Sequence, residues 1–98
     1  MTRDEVLQRL RANEAELRGL GVGGLALFGS LARGDDRVGS DVDLLVSVRL
    51  EAELSLLEMV RLERRLRELL DRDIDLVERE MMSSDLAERV LQEAVRAF

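Results

Sequence analysis

Residues 23–46 read GGLALFGSLARGDDRVGSDVDLLV. Two apolar runs are separated here by a charged, glycine-containing segment. Gly23 to Phe28 is short and almost wholly apolar, the pattern of a buried strand. Gly29 and Ser30 follow at once. Ser30 to Ser40 then carries Gly34, Gly39 and dense charge, which reads as a turn with at most one helical turn, then a loop. Asp41 to Val48 is a second strand. It alternates at its start and becomes continuously apolar at Leu44, Leu45 and Val46.

The flanks supply the helices. Thr2 with Glu5 has capping-box spacing, and Val6, Leu7, Leu10 and Leu17 recur near helical spacing, so one helix is expected from about residue 3 to 18, ended by Gly19 and Gly21. A long helix is expected from about Glu53 to Leu70, with Leu56, Met59, Leu62, Leu66, Leu69 and Leu70 as its apolar stripe. Asp73 to Val77 reads as a third strand. Ser83 or Ser84 caps a last helix whose face is Leu86, Val90, Leu91, Ala94 and Phe98, and the last few residues could instead form a short edge strand. The order is helix, strand, helical turn, strand, helix, strand, helix. The fold class is α/β (α+β): a single domain over residues 1–98, built as a small mixed β-sheet with helices packed on it.

Composition narrows the chemistry. The chain has 98 residues and neither cysteine nor histidine. Disulfides, thiol catalysis, histidine bases and the usual zinc sites are thereby removed. Catalysis must rest on carboxylates, hydroxyls and arginine, and carboxylates without nitrogen or sulfur ligands favour hard cations such as magnesium. The formal net charge of −6 argues against bulk binding to a nucleic-acid backbone. No apolar run approaches the roughly 18 residues of a membrane span, and from the polar start (Thr2, Arg3, Asp4, Glu5) no signal peptide is expected. A cytoplasmic protein is expected.

The candidate site follows from residue types and spacing. Asp41 and Asp43 stand two apart on a strand and so project to one face. Two like charges there repel and resist burial, a conflict that a divalent cation removes by accepting both as ligands. Asp75, between Ile74 and Leu76 on the third strand, could bring a third carboxylate. Asp73 shares its face and is the alternative, with Asp75 preferred because it lies deeper in the apolar run. Three carboxylates from two strands could hold two metal ions, a recurring device of phosphoryl transfer. Gly29 allows close backbone approach to an anion, and the Ser30 hydroxyl adds a donor. Arg33 stands one turn further on as a clamp for phosphate oxygens. Arg37 and Ser40 are candidates in the same loop. The Met81-Met82 pair is a candidate partner contact, because adaptable apolar side chains suit such surfaces.

Phe28-Gly29-Ser30-Leu31-Ala32-Arg33-Gly34, Ser40-Asp41-Val42-Asp43-Leu44-Leu45-Val46 and Asp75-Leu76-Val77 closely resemble the polymerase-beta-type nucleotidyltransferase superfamily. The short length is similar to the minimal nucleotidyltransferases, the antitoxin halves of HEPN/MNT toxin–antitoxin pairs. The resemblance implies magnesium, with two ions, and ATP as substrate. It implies that Gly29 and Ser30 hold the β and γ phosphates, with Ser40 in the same phosphate-binding set. It implies further that Asp41 and Asp43 ligate both metals, that Asp75 completes the metal next to the nucleophile, and that Arg33 holds the triphosphate or the departing pyrophosphate. The implied reaction is transfer of AMP to a tyrosine of a partner HEPN toxin, with no direct nucleic-acid or membrane partner. Two further readings stand beside it: a binding module that neutralises its partner by occlusion, and a small-molecule nucleotidyltransferase working as a subunit.

Overall fold

A computed structural model of the protein describes residues 1–34, 41–49 and 52–98. In chain order the elements are α1 (Arg3–Ala12), α2 (Glu14–Gly19), β1 (Val22–Phe28), α3 (Gly29–Ala32), β2 (Val42–Val48), α4 (Leu56–Leu70), β3 (Ile74–Glu78), a 3-10 turn (Arg79–Met81), α5 (Ser84–Glu93) and β4 (Val95–Arg96). The strands form one sheet in the order β3-β2-β1-β4. β1 runs antiparallel to both β2 and β4, whereas β2 and β3 are parallel, as the crossover through α4 requires. The mixed sheet expected from sequence is therefore present, and the C-terminal residues take the edge-strand alternative.

The two faces of the sheet differ. Leu25, Leu27, Val42, Leu44, Val46 and Ile74 point to one face and are buried. Val6, Leu7 and Leu10 of α1, Leu17 of α2, and Leu62, Leu66 and Leu70 of α4 close over them as one apolar cluster. The opposite face carries Ala26, Phe28, Asp43, Leu45 and Asp75, as the strand register dictates. Of these Leu45 is buried and Asp75 is exposed. The helices thus sit mainly on one side and leave the acidic side accessible.

Local signals explain the helix ends. The Thr2 hydroxyl accepts a hydrogen bond from the Glu5 amide at 3.3 Å, starting α1. Ser55 and Glu58 form a full capping box at the start of α4. Ser83 caps α5 by accepting from the Leu86 amide. The single helix expected over residues 3–18 is instead two. Asn13 breaks it: its side-chain amide donates to the Arg9 carbonyl at 2.8 Å, a local bond that competes with the helical ladder. Leu10 and Leu17 are both buried on either side of the break, which is why apolar spacing alone conceals it.

Two apolar faces also differ from expectation. Leu56 was expected in the α4 stripe but is 84% exposed, because it lies roughly a third of a turn around the helix from Leu62. In α5 no residue is buried, and Leu86 and Leu91 are exposed. That helix rests on α3 and β1 by one flank only. The C-terminus is nonetheless fastened. The Leu25 amide donates to the Phe98 carbonyl, the Ala97 amide to the Leu25 carbonyl, and Arg11 Nε to the Ala97 carbonyl at 2.8 Å. The Arg18 guanidinium stands 4.9 Å from the centroid of the Phe98 ring.

The burial pattern sets a stability contrast. Leu66→Ala removes a fully buried side chain and should cost about 2–5 kcal/mol, whereas Leu56→Ala should stay within about 0.5 kcal/mol. Urea unfolding of the two variants checks this.

Candidate active site

β1, β2 and β3 bring one end of each to a common edge of the sheet. β1 finishes at Phe28, and β2 and β3 both begin there, so the chain turns from β1 into α3 beside the first residues of β2 and β3. Asp43 lies opposite Phe28 across the antiparallel pair and opposite Asp75 across the parallel pair. Directly opposed residues share a face, so the Asp43 and Asp75 carboxylates stand side by side. Asp41 precedes β2 and is exposed. Asp73 precedes β3, and its backbone carbonyl accepts from the Val42 amide at 2.9 Å, anchoring the start of the strand pair. Of the two acidic residues open from sequence, Asp75 is thus the one opposite Asp43.

Electrostatics register this crowding. The Asp43 carboxyl is held above its ordinary value, first by burial, then by the charges of Asp75 and Asp41, and also by a side-chain hydrogen bond with Asp75. Arg33 acts in the opposite direction. Among the described residues the acidic groups do not by themselves close into a three-ligand metal cage. They present oxygen donors only, with Asp43 at the centre and its neighbours more exposed.

Gly29 makes the site possible. Its φ of +76° is a left-handed conformation that side chains disfavour, and a Cβ placed there would run into Asp43, coming 3.0 Å from Cγ and closer still to Oδ2. The missing side chain lets the start of α3 close down on the Asp43 carboxylate. Ser30 follows in the half-buried first turn. Arg33 caps α3, with its amide donating to the Gly29 and Ser30 carbonyls. Its guanidinium donates to Glu93 Oε2 at 3.2 Å. Glu93, on α5, had no signal in the sequence, because the pair spans 60 positions. Arg37 and Ser40, singled out from sequence, lie outside the described residues. Met81 is exposed and Met82 half-buried, on the 3-10 turn and just after it.

The family model of the nucleotidyltransferase domain matches residues 4–97. The chain belongs to that family. Among curated relatives, the nucleotidyltransferase is 40% identical to the protein adenylyltransferase MntA of Thermococcus cleftensis, over 97% of this chain and 95% of that one. A solved structure described as a minimal nucleotidyltransferase superposes with a TM-score of 0.82 at 34% identity, covering 97% of this chain and 95% of the other. The MNT antitoxin complex with a tri-AMPylated HEPN toxin from Shewanella oneidensis also matches, with a TM-score of 0.65 at 23% identity over 94% of this chain and 71% of that one. At that identity the last likeness concerns the fold. Among the described residues, no helix of the nucleotidyltransferase is long and apolar enough to cross a membrane.

The two left-handed glycines flanking α3 should respond differently. Gly29→Ala meets both an unfavourable φ and the Asp43 side chain, whereas Gly34→Ala, at φ +86°, meets no atom of the described residues within 4 Å. Thermal unfolding should show Gly29→Ala losing more stability than Gly34→Ala, whose cost should be only about 1 kcal/mol.

Proposed function

We propose that this nucleotidyltransferase moves the AMP moiety of ATP onto a hydroxyl, a tyrosine, of a HEPN-type toxin partner and silences it, acting as the antitoxin in the cytoplasm. The observation that carries this reading is the placement of Asp43 directly opposite Asp75, with Gly29 pressed against Asp43 and Arg33 one turn on. The likeness to a protein adenylyltransferase over almost the full length of both chains supports the donor and the protein acceptor.

The donor set fits magnesium. It offers carboxylate oxygens alone, in a chain without histidine or cysteine, and the mutual repulsion at Asp43 is of the kind that a hard divalent cation relieves. Asp41, Asp43 and Asp75 would hold it, as two ions. Bound magnesium supplies positive charge that acidifies an attacking hydroxyl and offsets charge on phosphate oxygens.

The chain's own groups do the positioning. The bare backbone at Gly29 admits the β and γ phosphates beside the carboxylates, and the Ser30 hydroxyl donates to them. Arg33 pairs with the phosphate oxygens and stabilises pyrophosphate as it departs. Ser40 completes this phosphate-binding set. The acceptor oxygen bonds to the α-phosphorus as the bridging bond to the β-phosphate breaks, and the hydroxyl proton passes to water. With little covalent work left to the protein, alignment and electrostatics provide the acceleration.

Intact mass spectrometry of a HEPN-domain partner, incubated with this protein, ATP and magnesium, tests the proposal. The partner should gain one or more AMP units with the wild-type enzyme and none with Asp41→Asn or Asp43→Asn. An unmodified partner that still co-purifies would overturn transfer in favour of occlusion.

A further inference from the structure

The carboxylate face of the sheet continues into a groove of about 530 Å³. Its floor begins one row below Asp43, where Ala26 of β1 and Leu45 of β2 lie opposite each other, and extends to Gly24. Rows on one face of a sheet are separated by roughly 7 Å. Leu91 of α5 and Ala94 just after that helix form a wall. The floor is low because glycine and alanine occupy it. The rim is cationic: Arg96 lies opposite Ala26 on the same face, and Arg49 and Arg79 stand further from the carboxylates. Among the described residues none of these three makes an ion pair. In a chain of net charge −6, three unpaired arginines around one apolar groove are a local reversal of sign.

Place and charge decide what the groove is for. It opens one row below Asp43 on the same face of the sheet, so a chain lying in it continues directly from a residue held at the carboxylates. Its arginines complement acidic side chains. We propose, resting on the reading of this site as a nucleotidyltransferase, that the groove receives the segment of the acceptor protein that flanks the modified hydroxyl, and that it selects segments carrying acidic and apolar side chains. Carboxylates of the segment pair with Arg96, Arg49 and Arg79, and an apolar side chain enters between Leu45 and Leu91. The three arginines are binding residues for the acceptor, separate from the phosphate-binding set at α3.

Amide chemical-shift mapping on the ¹⁵N-labelled full chain tests this. The probes are the peptide Glu-Leu-Tyr-Glu-Glu, its basic counterpart Arg-Leu-Tyr-Arg-Arg, and ATP with magnesium. The acidic peptide should shift Gly24, Ala26 and Leu45, and the basic peptide should not. The triple variant R49E/R79E/R96E should bind the acidic peptide at least ten-fold more weakly, its dispersed spectrum reporting an intact fold; R96Q alone should weaken it if the triple variant does not fold. An acidic peptide that leaves the groove unshifted, or binds the variants as tightly as wild type, would overturn the proposal. So would ATP alone shifting Gly24, Ala26 and Leu45, which would make the groove the nucleoside's. Absence of ATP-induced shifts around Gly29 to Arg33 would count against the nucleotidyltransferase reading, whatever the peptides do at the groove.

Discussion

Asp43 and Asp75 are held side by side because the strands that carry them are locked in register by the apolar residues between and behind them. Val42 pairs with Ile74 and Leu44 with Leu76, and Val42, Leu44 and Ile74 are buried against the helices of the opposite face. A one-residue slip of either strand would turn that apolar set outward. The core therefore fixes the register, and the register fixes two like charges against each other. Burial energy from one face of the sheet sustains an arrangement on the other face that electrostatics alone would disperse. Gly29 adds the second half of the constraint, since only a residue without a side chain lets α3 approach the Asp43 carboxylate.

The rest of the molecule serves this edge. α4 carries the chain back so that β3 can run parallel to β2, which places the start of β3 beside the start of β2. β4 pairs along β1 and brings Arg96 onto the acidic face. α5 leans on α3 and β1, where Glu93 reaches Arg33. Both partners of that ion pair are about half exposed, so it contributes little to stability. It fixes where the Arg33 guanidinium points. The exposed flank of α5, with Leu86 and Leu91, and the exposed start of α4, with Leu56, Leu57 and Val60, leave apolar surface on a small domain.

Much of this was legible in the sequence because the informative signals are local. The apolar run ending at Phe28, the glycine and serine after it, and the alternation at Asp41 to Asp43 each read directly as strand, turn and strand. The capping signals at Thr2 and at Ser83 or Ser84 mark two helix starts, whereas the Ser55 capping box that starts α4 went unread. What was hidden is non-local or masked by periodicity. Asn13 breaks a helix without disturbing the spacing of Leu10 and Leu17. Leu56 is apolar and helical yet lies off the buried stripe, and only the position of the sheet shows which stripe is buried. Asp75 was preferred to Asp73 from its depth in the apolar run, but its direct opposition to Asp43 is a matter of strand register, which no single segment carries. The pairing of Arg33 with Glu93, and the gathering of Arg49, Arg79 and Arg96 at one groove, unite residues from distant parts of the chain.

We propose that Asp43 is an ionised carboxylate kept in unfavourable company that a bound divalent cation would relieve. Its folded-state value is raised, so ionised Asp43 weakens the fold above that value, and the penalty vanishes below the ordinary carboxylate range. Thermal unfolding of the wild type and Asp43→Asn at neutral pH, with magnesium chloride against sodium chloride of equal ionic strength, tests this directly. Without magnesium, Asp43→Asn should melt higher than wild type. Magnesium should raise the wild-type midpoint and leave the variant nearly unchanged. A wild type indifferent to magnesium, together with a variant that melts lower, would contradict the account.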